Sequence, residues 1–376
     1  MFQFKKYSIK NYDFWMVAFV LLLSGIGAYF IRIVETENES LFKSQVMGII
    51  LGVIIISIVS MIDYHFISQF YIVLYFINLG LLVAVRLVGT EIRNTKRWLT
   101  LPGITFQPSE LSKIILIIFL AKVFTMFKDK LNKIYVPLAV GILIAIPTYL
   151  ILSQPNLSTS LVVVFIFVIM IYTAGLSYKI ILPILIIGIP LVFGTLWSIS
   201  HNYDVFFLTG YQQTRIQDFL DSETETSSDT MYQQDNSVEV IGSGMLSGKL
   251  LTEGKDAIQG DTYVPVSESD FIFSVIGEAI GFIGGCGIII LLSIIIFKCL
   301  MIGKHAPDFL GKLMATGIAA MFVFQMFVNI GVATAVLPNT GIPLPFVSYG
   351  LSSMLSSMIS IGIVINISLQ RKNKRG

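Results

Sequence analysis

The sequence predicts an all-α polytopic membrane protein of about ten transmembrane helices, with one long extracytoplasmic loop between the seventh and the eighth. Three observations carry that prediction. Hydrophobic residues make up 55% of the chain and charged residues 13%. Apolar runs near the roughly 20 residues that span a bilayer recur from one end to the other, and basic residues gather in alternate connections. Residues 1–376 read as a single integral membrane domain, with 201–269 as the large loop within it. Lipids are the expected surroundings, and no nucleic-acid partner is expected.

The first apolar run, 14–33, is long for a signal peptide and lacks a clear small-residue cleavage site, so it is read as a permanent span. Further runs follow at 44–62, 66–88, 108–126, 135–152, 159–175, 178–200, 270–297, 310–332 and 347–367. If the N-terminus is cytoplasmic, fifteen of the 25 Lys and Arg residues fall in cytoplasmic pieces, among them Lys5, Lys6 and Lys10 at the start and Arg371, Lys372, Lys374 and Arg375 at the end. That bias predicts a multi-pass protein of the plasma membrane with both termini inside. Cys286 and Cys299 share one run and stand about 20 Å apart along it, beyond disulfide reach.

Two outer loops depart from the expected pattern. The first holds Arg86, Arg93, Lys96 and Arg97 beside Trp98, a basic cluster on the side that usually lacks one. Interfacial anchoring would account for it, as would an anion site suited to phosphate or pyrophosphate. The second, 201–269, sets twelve carboxylates against Arg215, Lys249 and Lys255, and its middle, DSETETSSDTMYQQDNS, reads as solvated and flexible with no chemistry of its own.

The stretch 263–285, YVPVSESDFIFSVIGEAIGFIGG, joins the polar loop to an apolar helix. It puts Asp270 where water meets membrane and Glu278 eight residues deeper, at a depth where an ionisable group needs a partner or a role. The sequence QPSELSK opens the fourth span, with Pro108 suited to a first helical turn and Glu110 near the positive end of the dipole. Glu110 and Lys113 share a face at i, i+3, either as a local capping pair or as a charged pair facing an internal cavity. Ser153 to Ser160 form a short polar turn. Gln325 and Asn329 share a helical face at i, i+4, as amides that glue helices do. The uncharged connection LPNTGIPLPF, 337–346, has three prolines and suits the re-entrant wall of a membrane cavity.

Taken in order, Lys96-Arg97-Trp98, QPSELSK, GSGMLSGK, SDFIFSVIGE and TGIPLPFVSYG resemble the SEDS family of RodA- and FtsW-type peptidoglycan polymerases, and the resemblance spans nearly the whole chain. It implies a ten-helix glycosyltransferase that polymerises lipid II at the outer face of the bacterial cytoplasmic membrane. It places the family's essential aspartate at Asp270, as the general base that takes the acceptor hydroxyl proton. Lys113, Arg97, Lys96 and Arg215 become candidates for pyrophosphate contacts, with Glu110, Gln154, Glu278 and Ser348 completing the substrate-binding set. A divalent cation (Mg or Mn) could share that work, though no separate metal-ligand motif is visible. The implied partners are lipid II, undecaprenyl-linked glycan and a single-pass class B penicillin-binding protein, and a RodA-like role in elongation is preferred over an FtsW-like role in division or sporulation.

Departures from the family pattern limit what can be carried over. Where QPDLGT is common this chain has Gln154-Pro155-Asn156-Leu157-Ser158-Thr159, so a carboxylate is replaced by Asn156 and a glycine by Ser158. Ala279 follows Glu278 where a second acid is usual, and Leu351 stands in the common GGSS. A lipid flippase or a non-catalytic scaffold are the alternatives from other functional classes.

Overall fold

The computed structural model describes residues 7–35, 39–92, 95–101, 104–201, 203, 205, 208, 210–220, 229–258, 264–265 and 267–371. In chain order the elements are α1 (Phe14–Val34), α2 (Ser40–Met61), α3 (Tyr64–Gln69), α4 (Tyr71–Val88), β1 (Thr90–Ile92), β2 (Thr95–Leu101), β3 (Ile104–Phe106), α5 (Pro108–Met126), α6 (Tyr135–Leu152), α7 (Leu157–Thr173), α8 (Tyr178–Ser200), α9 (Gly210–Leu220), α10 (Asp229–Ser243), α11 (Lys249–Thr252), α12 (Ile272–Lys304), α13 (Phe309–Ala333) and α14 (Leu351–Leu369). Each of the ten apolar runs is largely helical. Among the described residues seven helices are long and apolar enough to cross a membrane, and α7 is a shorter apolar one.

The structure corrects three expectations and adds a sheet where the sequence assigned no conformation. The run 66–88 is broken at Phe70 into α3 and α4. The basic outer loop is a three-stranded antiparallel sheet in the order β1-β2-β3, with Glu91 opposite Lys96 and Leu99 opposite Phe106. Alternating β-branched, aromatic and polar residues in TKRWLTL and ITF favour this form once the stretch leaves the bilayer. The acidic loop is not solvated throughout: from Asp229 its middle forms α10, which buries Gln234, Asn236 and Ser237. The last apolar run begins four residues late, because 347–350 belong to the preceding connection.

Burial sorts the helices into a centre and a rim. The apolar windows of α13 and α14 lie 67% and 78% inside the protein, whereas that of α4 lies 22% inside and turns Ile72, Val73 and Phe76 outward. Small residues let α14 take the centre: Ser352, Ser356, Ser357 and Ser360 are buried on it, and Ser360 Oγ donates to the Ser356 carbonyl one turn back at 3.0 Å. On α2, Gly48 and Gly52 receive Leu351 and Met358 of α14.

Both described chain ends meet at one end of the bundle, where the Ser8 amide donates to the Leu369 carbonyl at 3.0 Å and Asn11 Nδ2 to the Arg371 carbonyl at 2.9 Å. There His65 bridges two carboxylates, with Nδ1 2.8 Å from Asp63 Oδ1 and Nε2 2.5 Å from Asp308 Oδ2, while Tyr64 donates to the other Asp308 oxygen at 2.9 Å. Hydrogen bonding to Asp308, then to Asp63, raises the His65 imidazole above its ordinary range, against the effect of burial. Burial pushes the two carboxyls up, but hydrogen bonds from Gln370 and His65 on Asp63, and from His65, the Gly311 amide and Tyr64 on Asp308, hold both below theirs. The cluster ties α3 to the start of α13 and the end of α14.

Near the other end, α12 is broken at Gly281, whose φ of 64° and ψ of −166° are not helical. The amides of Phe282 and Ile283 donate instead to the carbonyls of Met245 and Leu246, at 2.9 and 3.2 Å. The loop between α10 and α11 thus caps the inner half of α12 at a depth where water is scarce. Its glycines allow the approach: a Cβ on Gly248, at φ +80°, would stand 2.2 Å from the Ala279 carbonyl oxygen. Lys249, the next residue, reaches Glu278 at 2.9 Å.

Two outcomes are expected. The His65 contribution is complete below the unfolded-state value near 6.5 and is lost as pH rises through the raised folded value, while that of the carboxylates is lost as pH falls through their lowered values. The melting-temperature gap between wild type and His65→Gln in detergent should therefore be widest near about pH 6 and shrink above it. His65 is 40% exposed, so the gap is modest, and a constant gap up to alkaline pH would contradict the account. Gly248→Ala should cost roughly 2–3 kcal/mol by overpacking. Gly254→Ala, at φ +91° with open space around it, should cost about 1 kcal/mol from backbone strain alone. Equal losses would refute the close-approach explanation.

Candidate functional site

The sequence motifs converge at the end of the bundle opposite the chain termini. Pro108 opens α5 in its first turn, and the Gln107 amide just before it donates to Ser352 Oγ of α14 at 3.0 Å. Glu110 and Lys113 lie on the inner face of α5, 3% and 1% exposed. Lys113 Nζ is 2.8 and 2.9 Å from the two Glu110 oxygens, and Ser356 Oγ donates to Glu110 Oε2 at 3.3 Å. Of the two readings of this pair, a cap at the helix start and an interior charge pair, the burial favours the second. Two charges at that depth are tolerated because each is the other's partner.

The polar turn between α6 and α7 is part of the same assembly. Asn156 caps α7 through the Thr159 amide at 3.2 Å and donates from Nδ2 to Ser109 Oγ at 3.4 Å. Ser158 Oγ donates to the Thr340 carbonyl, which ties the turn to the proline-rich connection. Arg97, half-buried on β2, donates to the carbonyls of Gln154 and Pro155. Gln154 Nε2 donates to the Leu82 carbonyl in the second half of α4 at 3.0 Å. In this structure Arg97 and Gln154 brace the turn. Lys96 is exposed and, by strand alternation, leaves β2 on the face opposite Arg97, so the structure does not bring it to the group. Arg215 lies in α9, and its side chain is outside the described residues.

Asp270 stands in the turn that precedes α12, half-buried, and three successive carbonyls around it are captured. The Glu268 carbonyl accepts from the Tyr349 amide at 2.8 Å, the Ser269 carbonyl from Ser348 Oγ at 2.5 Å, and the Asp270 carbonyl from Asn329 Nδ2 at 2.8 Å. Ser348 Oγ also accepts from the Leu344 amide at 2.7 Å. The connection 337–350 is non-helical and buries Ile342, Leu344, Phe346 and Val347, as a re-entrant wall should. Its Gly341, at φ +71°, lies directly against Asp270: a Cβ there would be 3.2 Å from Asp270 Oδ2.

Glu278 is 1% exposed and paired with Lys249, two turns of helix beyond Asp270. Its carboxylate has a cationic partner within hydrogen-bond distance, Lys249 Nζ at 2.9 Å. Among the described residues no three His, Cys, Asp or Glu side chains are grouped to hold a metal ion.

Sequence reasoning missed three contributors. Lys249 belongs to GSGMLSGK but carried no role, and a lone lysine after a glycine-rich turn gives no sign of a partner 29 residues away. Asn329 read only as interhelical glue. Ser158 read only as a departure from a pattern, with nothing local to reveal its bond to Thr340.

Comparison with known proteins agrees with this architecture. The family model for FtsW, RodA and SpoVE, described as cell cycle protein, matches residues 8–373. A probable peptidoglycan glycosyltransferase FtsW of Trichlorobacter lovleyi is 30% identical over 377 residues, covering 97% of this chain and 95% of that protein. The peptidoglycan glycosyltransferase MrdB of Escherichia coli K12 is 30% identical over 359 residues, covering 95% and 93%. A solved structure, described as showing the structural coordination of polymerization and crosslinking by a peptidoglycan synthase complex, superposes with a TM-score of 0.78 at 25% identity over 96% of this chain and 99% of that one. With the match running almost from end to end and the motifs gathered around one site, the chain belongs to the FtsW, RodA and SpoVE family of cell cycle proteins.

Proposed function

We propose that this protein is a peptidoglycan glycosyltransferase that polymerises lipid II, with Asp270 as general base. The observation that carries the reading is the capture of the Glu268, Ser269 and Asp270 carbonyls, which fixes the backbone under one half-buried carboxylate at the mouth of the bundle. A fixed base is what a single displacement needs. Asp270 takes the proton of the acceptor 4-hydroxyl as that oxygen bonds to the anomeric carbon of the donor. The bond from that carbon to the pyrophosphate oxygen breaks, and undecaprenyl pyrophosphate leaves with the electron pair. The α-linked donor becomes a β-linked glycan by inversion, so no enzyme nucleophile is required.

The leaving pyrophosphate calls for positive charge. Lys113, held by Glu110 inside the bundle, is the cation assigned to this role, and Arg97 supports the adjoining turn. Among the described residues no three His, Cys, Asp or Glu side chains are grouped as ligands for a divalent cation. The reading includes outward-facing chemistry with both termini cytoplasmic, in keeping with the basic residues at both ends and with the two ends meeting in the structure. It also includes a crosslinking partner, a single-pass class B penicillin-binding protein, by analogy with the synthase complex that superposes on this chain. The elongation role rests on sequence resemblance alone, since the FtsW and MrdB relatives match at the same 30% identity. Localisation to the side wall would support it, and localisation to the septum would replace it with division.

Labelled lipid II supplied to purified protein with its cognate partner should yield glycan strands from wild type and essentially none from Asp270→Asn, with folding and partner binding retained. Strands from Asp270→Asn would remove Asp270 from the chemistry. Lipid movement without strands from wild type would favour the flippase. Lys113→Met should cost roughly 3–5 kcal/mol of stability by stranding buried Glu110. The double variant Lys113→Met with Glu110→Gln should recover most of that stability but not polymerisation. Wild-type rates from the double variant would leave the pair a purely structural role.

A further inference from the structure

Asn329 lies on α13, the helix whose apolar window is 67% buried, and is itself 1% exposed. Its amide nitrogen makes two short bonds, to the Asp270 carbonyl at 2.8 Å and to the Ile342 carbonyl at 2.7 Å. A carboxamide has two N–H donors, and each is spent on a different segment of the chain. One segment carries Asp270. The other carries Gly341, against which the Asp270 carboxylate rests. We infer that Asn329 is a positioning residue for Asp270: one carboxamide, mounted on a helix buried over most of its length, sets both the backbone of the acid and the wall beside its carboxylate.

The neighbouring bonds show why this residue governs the pair. Ser348 and Tyr349 hold the Ser269 and Glu268 carbonyls, but both belong to the same connection as Gly341 and move with it. Ser158 holds Thr340, also on the connection. Asn329 alone among these groups reaches Asp270 and the connection together from a third element. Without it the connection keeps the Leu337 amide's bond to the Gly331 carbonyl and the packing of Phe346 on Phe322, but the one side chain of α13 that bonds the acid's backbone and its wall together is gone. A displacement of about 1 Å at a reacting group can lower a rate about 100-fold.

The inference rests on the proposal that Asp270 is the base, and the experiment separates the two. Wild type, Asp270→Asn, Asn329→Leu and Asn329→Ser are purified, checked for monodispersity and thermal stability, and assayed with the cognate partner for kcat and KM on labelled lipid II. Asn366→Leu is the control for a purely structural loss. Asn366 is a buried amide at the terminal end of the bundle that also serves two segments, accepting from the Tyr64 amide at 3.0 Å and donating to the Ser60 carbonyl at 2.7 Å. The expected result is a kcat lowered about 100-fold in Asn329→Leu with KM nearly unchanged. Asn329→Ser, which keeps one donor, should fall between that and wild type and carries the test if the leucine variant does not fold. Asn366→Leu should lose stability while its folded fraction keeps both constants. Wild-type kcat in the folded Asn329 variants, or a loss expressed in KM, would overturn the inference while leaving Asp270 in place. An active Asp270→Asn would overturn both.

Discussion

A peptide group that leaves a helix at membrane depth finds no water to bond with, and the placement of the site depends on how this chain meets that constraint. At the break in α12 the amides of Phe282 and Ile283 turn to the carbonyls of a glycine-rich loop. Before α12, three carbonyls in a row are taken by a serine, a backbone amide and an asparagine. In the connection 337–350 the turns close on themselves and on α13 and α10. Each irregular stretch is satisfied by another irregular stretch or by a buried polar side chain, so all of them must sit together. The candidate site is that gathering.

The same constraint explains why buried charge is concentrated here. Glu110 with Lys113, and Glu278 with Lys249, occur as pairs, each joining a carboxylate to an ammonium within 2.9 Å. Elsewhere in the spans the buried polar residues are mostly serines and amides, some of which back-bond to their own helix, as Ser360 does, or bridge to a neighbour, as Asn366 does. Paired ions are costly to desolvate, so their presence marks a region shaped by more than stability.

Much of this was legible in the sequence, and the reasons differ from one element to the next. Apolar runs of bilayer length located every long helix, because length and hydropathy are local properties. Pro108 and the charge pair on α5 were legible because a first helical turn and an i, i+3 spacing are also local. The sheet 90–106 was not foreseen, since a short basic stretch between two spans gives no periodicity long enough to separate strand from loop. The helix from Asp229 was hidden by its acidic, serine-rich neighbours: Gln234 and Ser237 look solvated until α13 supplies the carbonyls of Val332 and Ala333 to meet them. Lys249 and Asn329 drew little notice for the same reason, as their partners lie far along the chain or in another element.

The packing of α14 has a consequence for how the protein is made. This last helix fills the centre of the bundle, lies along α2, and carries the Asn366 side chain that receives the Tyr64 amide. Gln45 of α2 waits for the Ser348 carbonyl, and the N-terminal segment for Leu369 and Arg371. A ribosome delivers α1 and α2 long before α14, so these helices wait in lipid with some of their polar groups lacking their final partners. The centre of the bundle is filled only once α14 has been made, and a chain cut before Leu351 would lack the helix that fills it.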